Sequence, residues 1–148
     1  MRIPTFVCSF LLATVVAGCT AKVETSGNAA AQSTVEATAK MHTDVVRLTV
    51  HMAPAGGGAS TAIASTAADR IGKPSDKEDL QAMETGQTVV MDEKDAVDVT
   101  VPVMQKDGKW TAAIGVTLKA AAGADKEALK KKATEIASAV EKAIATAK

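Results

Sequence analysis

An arginine and a histidine lie two positions to either side of a threonine in a segment with strand periodicity. Apolar and polar side chains alternate between residues 44 and 52, which places Arg47, Thr49 and His51 on one face of a predicted β-strand. The planar guanidinium of arginine matches a carboxylate with two parallel N–H donors, and an imidazole and a hydroxyl add further hydrogen bonds. This face has the chemistry to bind a small carboxylate. The alternative is that it is the solvated face of an antiparallel sheet.

Other kinds of site have little support in the sequence. The two imidazoles, His42 and His51, have no acidic partner at metal-ligand spacing, and the carboxylates between residues 92 and 98 lack the alternation and the central glycine of a calcium loop. The sequence contains no motif of a serine hydrolase or a zinc peptidase, and no carboxylate sits in an apolar stretch. We therefore predict no metal, no cofactor and no enzymatic activity.

The composition argues against nucleic acid as a partner. Lysines and arginines total 17, as do aspartates and glutamates, so the formal net charge is zero. A protein that binds nucleic acid through its phosphates needs a basic face. Trp110 is the only aromatic residue that follows Phe10, which also argues against base stacking.

The polar face must be positioned by a sheet whose first elements lie in the N-terminal half. We expect a short helix over residues 34–41, the strand at 44–52, a glycine-rich break at 54–58 and a weaker strand around Ile63, so the two strands would form a hairpin. The side chains of the first strand that would face the core are Val46, Leu48, Val50 and Met52.

A short helix is predicted from residue 75 to the glycine at position 86. Ser75 and Glu78 have the spacing of a capping box, in which each side chain satisfies a free backbone N–H at the start of the helix. With this start, Leu80 and Met83 would face inward.

Three further strands are predicted after this helix. A small strand at residues 88–91 precedes an uninterrupted alternation at 97–103, and a matching strand covers 110–118. Asp107-Gly108 between the last two is a strong signal for a two-residue hairpin turn. We expect Trp110, at the start of the returning strand, to fill the core.

A helix ends the sequence, from about residue 125 to residue 145. Its apolar residues recur at steps of three and four and form a single stripe, while lysines and glutamates cover the rest of its surface. The stripe would pack on the sheet. Its members are Leu129, Ala133, Ile136, Val140 and Ile144.

The N-terminus has the features of a secretory signal peptide. Arg2 precedes an apolar run from Phe6 to Ala17 that is too short to span a bilayer as a helix, and small residues close the run. The segment Val16-Ala17-Gly18-Cys19 resembles the lipobox of bacterial lipoproteins, although the family usually has leucine in place of Val16. The resemblance implies cleavage before Cys19 and acylation of its thiol.

This interpretation divides the sequence into three parts. Residues 1–18 are the signal peptide, residues 19–33 a flexible tether of small and polar residues, and residues 34–148 the folded domain. Because the only other cysteine leaves with the signal peptide, acylation of Cys19 leaves no free thiol. Thr20, which is not aspartate, favours the outer membrane under the enteric sorting rule. We expect a lipid-anchored protein of the cell envelope that faces the periplasm.

Six short segments of the domain carry a resemblance to a known family. They are Ile63-Ala64-Ser65-Thr66, Arg70-Ile71-Gly72-Lys73-Pro74, Asp79-Leu80, Val101-Pro102-Val103, Asp107-Gly108-Lys109 and Ile114-Gly115-Val116. In this order they resemble the strand, loop, helix and last hairpin of the single Cache domains, which are PAS-like extracytoplasmic sensor domains. The resemblance implies an α+β fold: a PAS/Cache-like antiparallel sheet of about five strands with a short helix and a C-terminal helix packed on it.

The resemblance also implies where a ligand would bind. In this family one face of the sheet takes the helices and the other face forms the pocket. The side chains on the pocket face would be Arg47, Thr49, His51, Asp98, Thr100, Thr111 and Thr117. The candidate ligand-binding residues are Arg47, His51 and Thr100 of this face, with Arg70 and Lys73 from the nearby loop. The function implied is a small-molecule-binding or accessory sensory lipoprotein. The alternative is a structural or protein-interaction envelope lipoprotein that binds no small molecule.

Overall fold

The computed structural model describes residues 28–106 and 108–146 of the 148-residue chain. A single antiparallel sheet and three α-helices make up this part of the chain. In chain order the elements are α1 (Ala29–Met41), β1 (Val45–Met52), β2 (Thr61–Ser65), a 3₁₀ turn (Ala68–Arg70), α2 (Lys77–Thr85), β3 (Val89–Glu93), β4 (Ala96–Met104), β5 (Trp110–Lys119) and α3 (Lys126–Thr146). The strands are arranged in the order β2-β1-β5-β4-β3. The predicted α+β fold class is confirmed.

The predicted signal peptide, Cys19 and most of the tether lie outside the described residues. The tether's last residues belong to α1, which begins at Ala29 and not at residue 34 as predicted. Asn28 is the reason, because its side-chain oxygen accepts the backbone N–H groups of Ala30 and Ala31 at 3.1 Å and caps the helix. None of the helices in the described ranges is long and apolar enough to cross a membrane.

One face of the sheet carries the main hydrophobic core. Helices α1 and α3 cover this face and contact each other along it. Burial of apolar surface stabilises such a face by about 25 cal/mol per Å², without any directional requirement. The sixteen buried residues are Ala31, Val35, Leu48, Val50, Ala64, Val97, Val99, Val103, Ala112, Ile114, Val116, Leu118, Ala133, Ile136, Ala137 and Val140.

A bulge near the start of β1 corrects one core prediction. The β1–β5 register shifts between Val45 and Arg47, so Val46 points away from the core with its residue surface 52% exposed. Val45 packs against the core in its place. Beyond the bulge, Leu48 and Val50 are buried in the core, as their alternation predicts.

The β4–β5 hairpin is present, but its connection is longer than two residues. The Gln105 backbone N–H donates to the Lys109 carbonyl at 2.8 Å, and the Gly108 N–H donates back to the Gln105 carbonyl at 2.9 Å. Gly108 has a φ of 77°, as expected for a glycine in a turn. Asp107, the other residue of the predicted turn, lies outside the described residues.

Trp110 lies outside both buried apolar clusters, so the prediction that it fills the core is wrong. The β4–β5 register shifts between Val103 and Met104, opposite the start of β5, and the half-buried indole contacts Gly86 at the end of α2. A Cβ at Gly86 would lie 2.7 Å from the indole nitrogen, and the φ of this glycine is 67°. Both the backbone conformation and the contact with Trp110 therefore require glycine here.

Candidate functional site

The face of the sheet opposite the main core is polar, yet most of it is buried beneath α2. The strand registers place Arg47 beside Thr117 and Thr117 beside Asp98, so three strands contribute to one polar row. The solvated-face alternative is therefore wrong for most of this face. Its buried polar residues are Thr49, His51, Asp98, Thr100 and Thr117, each no more than 8% exposed.

Helix α2 begins one residue later than predicted. Asp76 is the N-cap, and its backbone N–H donates to Asp79 Oδ2 at 2.8 Å, so the capping box uses Asp76 and Asp79 and not Ser75 and Glu78. The buried face of α2 consists of Asp79, Ala82 and Met83, which recur at helical steps of three and four. Leu80 lies off this face and is 48% exposed, against the prediction that it faces inward.

The apolar contact that seats α2 on the sheet is small. Ala82 and Met83 of the helix pack on Ala113 of β5, and Val89 adds a partly buried side chain. Met83 faces inward, as predicted. The main core on the other face has sixteen buried residues, so α2 depends more on its polar contacts.

His51 is the centre of those polar contacts. Its Nε2 lies 3.3 Å from Asp79 Oδ2, and its Nδ1 lies 3.0 Å from the Ser75 hydroxyl. The Ser75 hydroxyl in turn donates to the Ser60 hydroxyl at 2.8 Å. In this arrangement Ser75 accepts a hydrogen bond from His51 Nδ1–H. The contact between His51 Nε2 and Asp79 shares a single proton, which is carried by one side chain or the other.

Burial shifts the pKa of both members of this pair. Desolvation, followed by repulsion from Arg70, lowers the pKa of His51 to about 4. Desolvation raises the pKa of Asp79 to about 6; the hydrogen bond from the Asp76 backbone opposes this rise, and the neighbouring carboxylates of Glu78, Asp76 and Asp98 add to it. Below pH 6 the shared proton therefore resides on Asp79, which donates it to His51. Above that pH the contact needs the Nε2–H tautomer of neutral His51, for which Ser75 turns to donate to Nδ1.

A second polar cluster lies at the other end of the same face. Asp98 Oδ1 accepts the Thr117 hydroxyl at 2.6 Å and lies 4.0 Å from Arg47 Nη2. The same guanidinium nitrogen lies 3.4 Å from Glu93 Oε1. Arg47 is therefore already paired with two carboxylates, although its side chain is 32% exposed and accessible from solvent.

The loop before α2 is attached to the edge of the sheet by backbone hydrogen bonds. The Ala62 N–H donates to the Lys73 carbonyl, and the Ser75 N–H donates to the Ser60 carbonyl, each at 2.9 Å. Arg70 forms an ion pair with Asp76 at the start of the helix. Ser75 is thus held in place as a partner of His51.

The structure brings together three of the five predicted ligand-binding residues. Arg47, His51 and Arg70 line a cleft between α2 and the sheet. Thr100 is on the same face of the sheet but is only 1% exposed and does not line the cleft, and Lys73 is exposed on the loop outside it. The other residues that line the cleft are Thr49, Asp76, Glu78, Asp79, Asp98 and Gly115.

The cleft is nearly closed. Its volume is about 10 Å³, which is about the space that one water molecule requires. Its charged lining consists of Arg47 and Arg70, already paired with carboxylates, together with the carboxylates Asp76, Glu78, Asp79 and Asp98. An organic ligand can therefore enter only if side chains or α2 move.

A larger depression lies along α3 beside the turn that joins α1 to β1, and it is separate from the cleft. Its volume is about 420 Å³, and His42, the second imidazole, lies at its rim. No group of three or more potential metal ligands occurs in residues 28–106 or 108–146. The other residues that line the depression are Ala128, Lys131, Lys132, Glu135 and Ile136.

Four residues of the polar network were not among the sequence candidates. Asp98 carries a usable signal, because it alternates with the buried valines of β4 on the same face as Thr100. Asp79 stands three residues after Asp76, which is an alternative capping-box spacing. Ser60 and Ser75 carry no signal, since only the fold brings them together beside His51.

Solved structures share this fold at low sequence identity. A fragment of a methyl-accepting chemotaxis protein is 13% identical with a TM-score of 0.52, covering 76% of this chain and 83% of that one. A GAF domain region of a putative membrane protein from Geobacter sulfurreducens is 9% identical with a TM-score of 0.50, covering 74% and 89%. A putative transcriptional regulator from a Rhodococcus species is 14% identical with a TM-score of 0.50, covering 83% and 71%.

No protein-family model matches the chain, and no curated protein matches it. The likeness to solved structures therefore concerns the fold. Residues 28–106 and 108–146 form a five-stranded antiparallel α+β fold, and it is this fold that the chain shares with these solved structures.

Proposed function

We propose that this protein is a small-molecule-binding or accessory sensory lipoprotein, with its ligand site in the cleft between α2 and the sheet. The observation that carries the proposal is the buried polar face. A sheet that needs only a stable core would present apolar residues to a covering helix, because burial of a polar group without a partner costs about 1–3 kcal/mol. Here His51, Asp79, Asp98 and Thr117 are buried, and they are satisfied by one another, by adjoining hydroxyls, by the Asp76 backbone N–H and by the nearby guanidinium of Arg47.

The ligand class that we propose is a small carboxylate. The two guanidiniums of the cleft are about equally exposed, but Arg70 is closely paired with Asp76, whereas the exposed partner of Arg47, Glu93, lies 3.4 Å away in a weak surface ion pair. A ligand carboxylate would replace Glu93 as the partner of Arg47. The proposal is for binding and includes no catalytic step.

Ligand binding is tested by thermal unfolding of the full-length protein in mild detergent. Acetate and malonate are the carboxylate probes, with acetamide as an uncharged isostere of acetate and methylammonium as a cation. We expect a carboxylate to raise the unfolding temperature, and the Arg47→Gln variant to lose this shift. Equal shifts with acetamide, or no shift with any probe at millimolar concentration, would contradict the proposal.

We propose further that Cys19 carries a lipid anchor and that the domain faces the periplasm from the outer membrane. The supporting observation is the Ala17-Gly18-Cys19 segment that ends the apolar run. Mass spectrometry of the protein from its native host should show a diacylglyceryl cysteine as the first residue. The Cys19→Ala variant should lose these masses and appear in the soluble fraction, and an unmodified Cys19 would contradict the anchor.

A second candidate function is protein interaction within the envelope, without a small ligand. The observation that favours it is the depression of about 420 Å³ on α3, which is far larger than the cleft beneath α2. Crosslinking from Glu135 at the depression, with crosslinking from Leu80 on α2 as the matched control, would distinguish the two functions. A discrete partner captured from Glu135 alone favours the interaction function.

A further inference from the structure

Asp79 occupies the position at which an anion would meet His51 in the cleft. Its carboxylate is 3.3 Å from His51 Nε2, and the residue is only 4% exposed. The cleft that remains has a volume of about 10 Å³, so no organic molecule fits beside this carboxylate. The inference that follows rests on the proposed function, because it assumes that a ligand binds here.

We propose that residues 76–85 form a lid, and that Asp79 on this lid is an internal competitor for the carboxylate ligand. In the closed state Asp79 contacts His51, and this contact is the latch. When the lid lifts, Asp79 leaves with it, and the ligand carboxylate takes its place against His51 and Arg47.

The part of the site that stays in place is distinct from the part that moves. His51 belongs to β1, the second strand from the sheet edge, and Ser75 is held to the sheet edge by its backbone bond to Ser60. The His51 ring therefore keeps its orientation through Nδ1 when the lid leaves, and Nε2 becomes free. The lid contributes only Asp79 to this centre, and its N-cap Asp76 contributes the ion pair to Arg70.

The lid is attached by few apolar contacts. Ala82 and Met83 are its only members in a buried cluster, and that cluster contains one buried sheet residue, Ala113. Segments that open locally are those with few buried apolar contacts. At its C-terminal end Gly86, with a φ of 67°, joins the lid to the strand that follows. This glycine is the hinge at that end of the lid, and the cap residue Asp76 is the hinge at the other end.

The charges around the His51–Asp79 contact favour the replacement of Asp79 by a ligand anion over its replacement by water. Arg47 from β1 and Arg70 from the 3₁₀ turn face His51, while Asp76, Glu78 and Asp98 surround Asp79. The carboxylate of Asp79 is therefore repelled by the neighbouring carboxylates. Its departure lowers the negative charge of the cleft at the moment when a ligand carboxylate enters.

The experiment measures lid opening and ligand affinity separately in the full-length protein. Hydrogen exchange without ligand reports the opening of α2, with β5 as the internal reference for global unfolding. Asp79→Asn keeps the side-chain oxygen that caps the helix but removes the charge of the latch. Asp44→Asn is the control for the loss of a carboxylate elsewhere, because it removes a more exposed contact to Lys132 (2.6 Å) that joins the turn before β1 to α3.

We expect α2 to exchange faster than β5 in the wild type. In Asp79→Asn we expect α2 to exchange about tenfold faster, the effect of losing one charge-assisted hydrogen bond, while β5 is much less affected. Asp79→Asn should also bind acetate or malonate about tenfold more tightly than the wild type. Asp44→Asn should change neither quantity. Ser75→Ala provides a milder variant, which should weaken carboxylate binding because Nδ1 loses its partner.

Three results would overturn the inference in distinguishable ways. If α2 is as protected from hydrogen exchange as β5 in the wild type, α2 does not open as a lid, whichever ligand binds. If α2 opens but Asp79→Asn binds carboxylates more weakly, Asp79 is part of the binding site and not a competitor. If α2 opens and no carboxylate binds to either form, the carboxylate ligand of the proposed function fails, and the competitor role of Asp79 fails with it.

Discussion

The two faces of the sheet bury side chains by different means. On one face, α1, the 21-residue α3 and the sheet share a core of sixteen buried apolar residues. On the other face, the nine-residue α2 covers a row of hydroxyls, carboxylates and one imidazole, and the apolar cluster there has only three buried residues, two of them on α2 itself. Apolar burial tolerates small movements, whereas a hydrogen-bonded network is held only while its geometry is kept. We therefore expect the free energy of global unfolding to depend mainly on the α1–α3 face, and local conformational change to occur on the α2 face.

The largest effect should come from a cavity in the apolar face. Leu48 is fully buried there, and Leu48→Ala should lower the free energy of unfolding by about 3 kcal/mol, within the usual range for such truncations. Urea unfolding followed by the fluorescence of Trp110 measures this change.

The matched truncation on the α2 face is Met83→Ala. Met83 is 9% exposed and belongs to the small cluster, so we expect a smaller loss of global stability and a selective increase of hydrogen exchange in α2. Equal global losses in the two variants, with no selective exchange, would remove the distinction between the faces.

The pH dependence of stability should separate the members of the His51–Asp79 pair. In the wild type between pH 4 and 6, the folded chain holds one proton on Asp79 and the unfolded chain holds one on His51. The number of bound protons is then the same in both states. The pair should therefore contribute almost no slope to stability in this window.

In each single variant the free energy of unfolding should change with pH, and the two changes should have opposite signs. Asp79→Asn leaves His51 with a lowered pKa, so stability falls as pH decreases from 6.5 toward 4. His51→Gln leaves Asp79 with a raised pKa, so stability falls as pH increases from about 4 to about 6. Each change approaches about 3 kcal/mol, measured by urea unfolding at a series of pH values. Parallel pH profiles in the two variants would show that the pair is not buried as described.

Replacement of the hinge glycine should have an intermediate effect. Gly86→Ala forces a side chain into a positive-φ conformation and places its Cβ 2.7 Å from the Trp110 indole nitrogen, so we expect a loss of about 2 kcal/mol in thermal or urea unfolding. Gly56→Ala is the control, because nothing lies within 4 Å of its added Cβ; it should change stability by less than about 0.5 kcal/mol. Similar losses in both variants would contradict the close contact with Trp110.

The smallest effect on stability should come from Arg47. Its ion pair with Glu93 is partly exposed, and such pairs contribute about 0–1 kcal/mol. Arg47→Gln should therefore leave urea unfolding nearly unchanged while it abolishes the thermal shift by a carboxylate. Lys126→Gln, which breaks the exposed pair with Asp92, is the control that should leave both measurements unchanged. A large loss of stability in Arg47→Gln would assign this arginine to the structure of the sheet.

The sheet could be predicted from the sequence because apolar and polar side chains alternate with a period of two along a strand, whichever antiparallel strands lie beside it. The residues of β4 and β5 that face the main core lie at every second position, from Val97 to Val103 and from Ala112 to Leu118. The terminal helix was predictable for a similar reason, since Ile136 and Val140 lie on one stripe and are buried. Of the site, the same alternation placed Arg47, Thr49 and His51 on one face.

What could not be predicted depends on single-residue shifts and on distant contacts. Both Ser75 and Asp76 are suitable helix caps, and only the burial of Asp79 beside His51 decides between them. The bulge that turns Val46 outward has no sequence marker, because Val45 and Val46 are equally apolar. Burial of the polar face depends on where α2 packs, which local periodicity does not encode.

The loop that holds Ser75 beside His51 also closes one edge of the sheet. The outer side of β2 is occupied by backbone hydrogen bonds from this loop and by the Asn28 N–H, which donates to the Ile63 carbonyl. Pro74 forms an isolated β-bridge with Thr61 and has no N–H with which to pair a further strand. The opposite edge, β3, is only five residues long and ends in Asp92 and Glu93. Copies of this domain that are crowded together are therefore discouraged from joining strand to strand into aggregates.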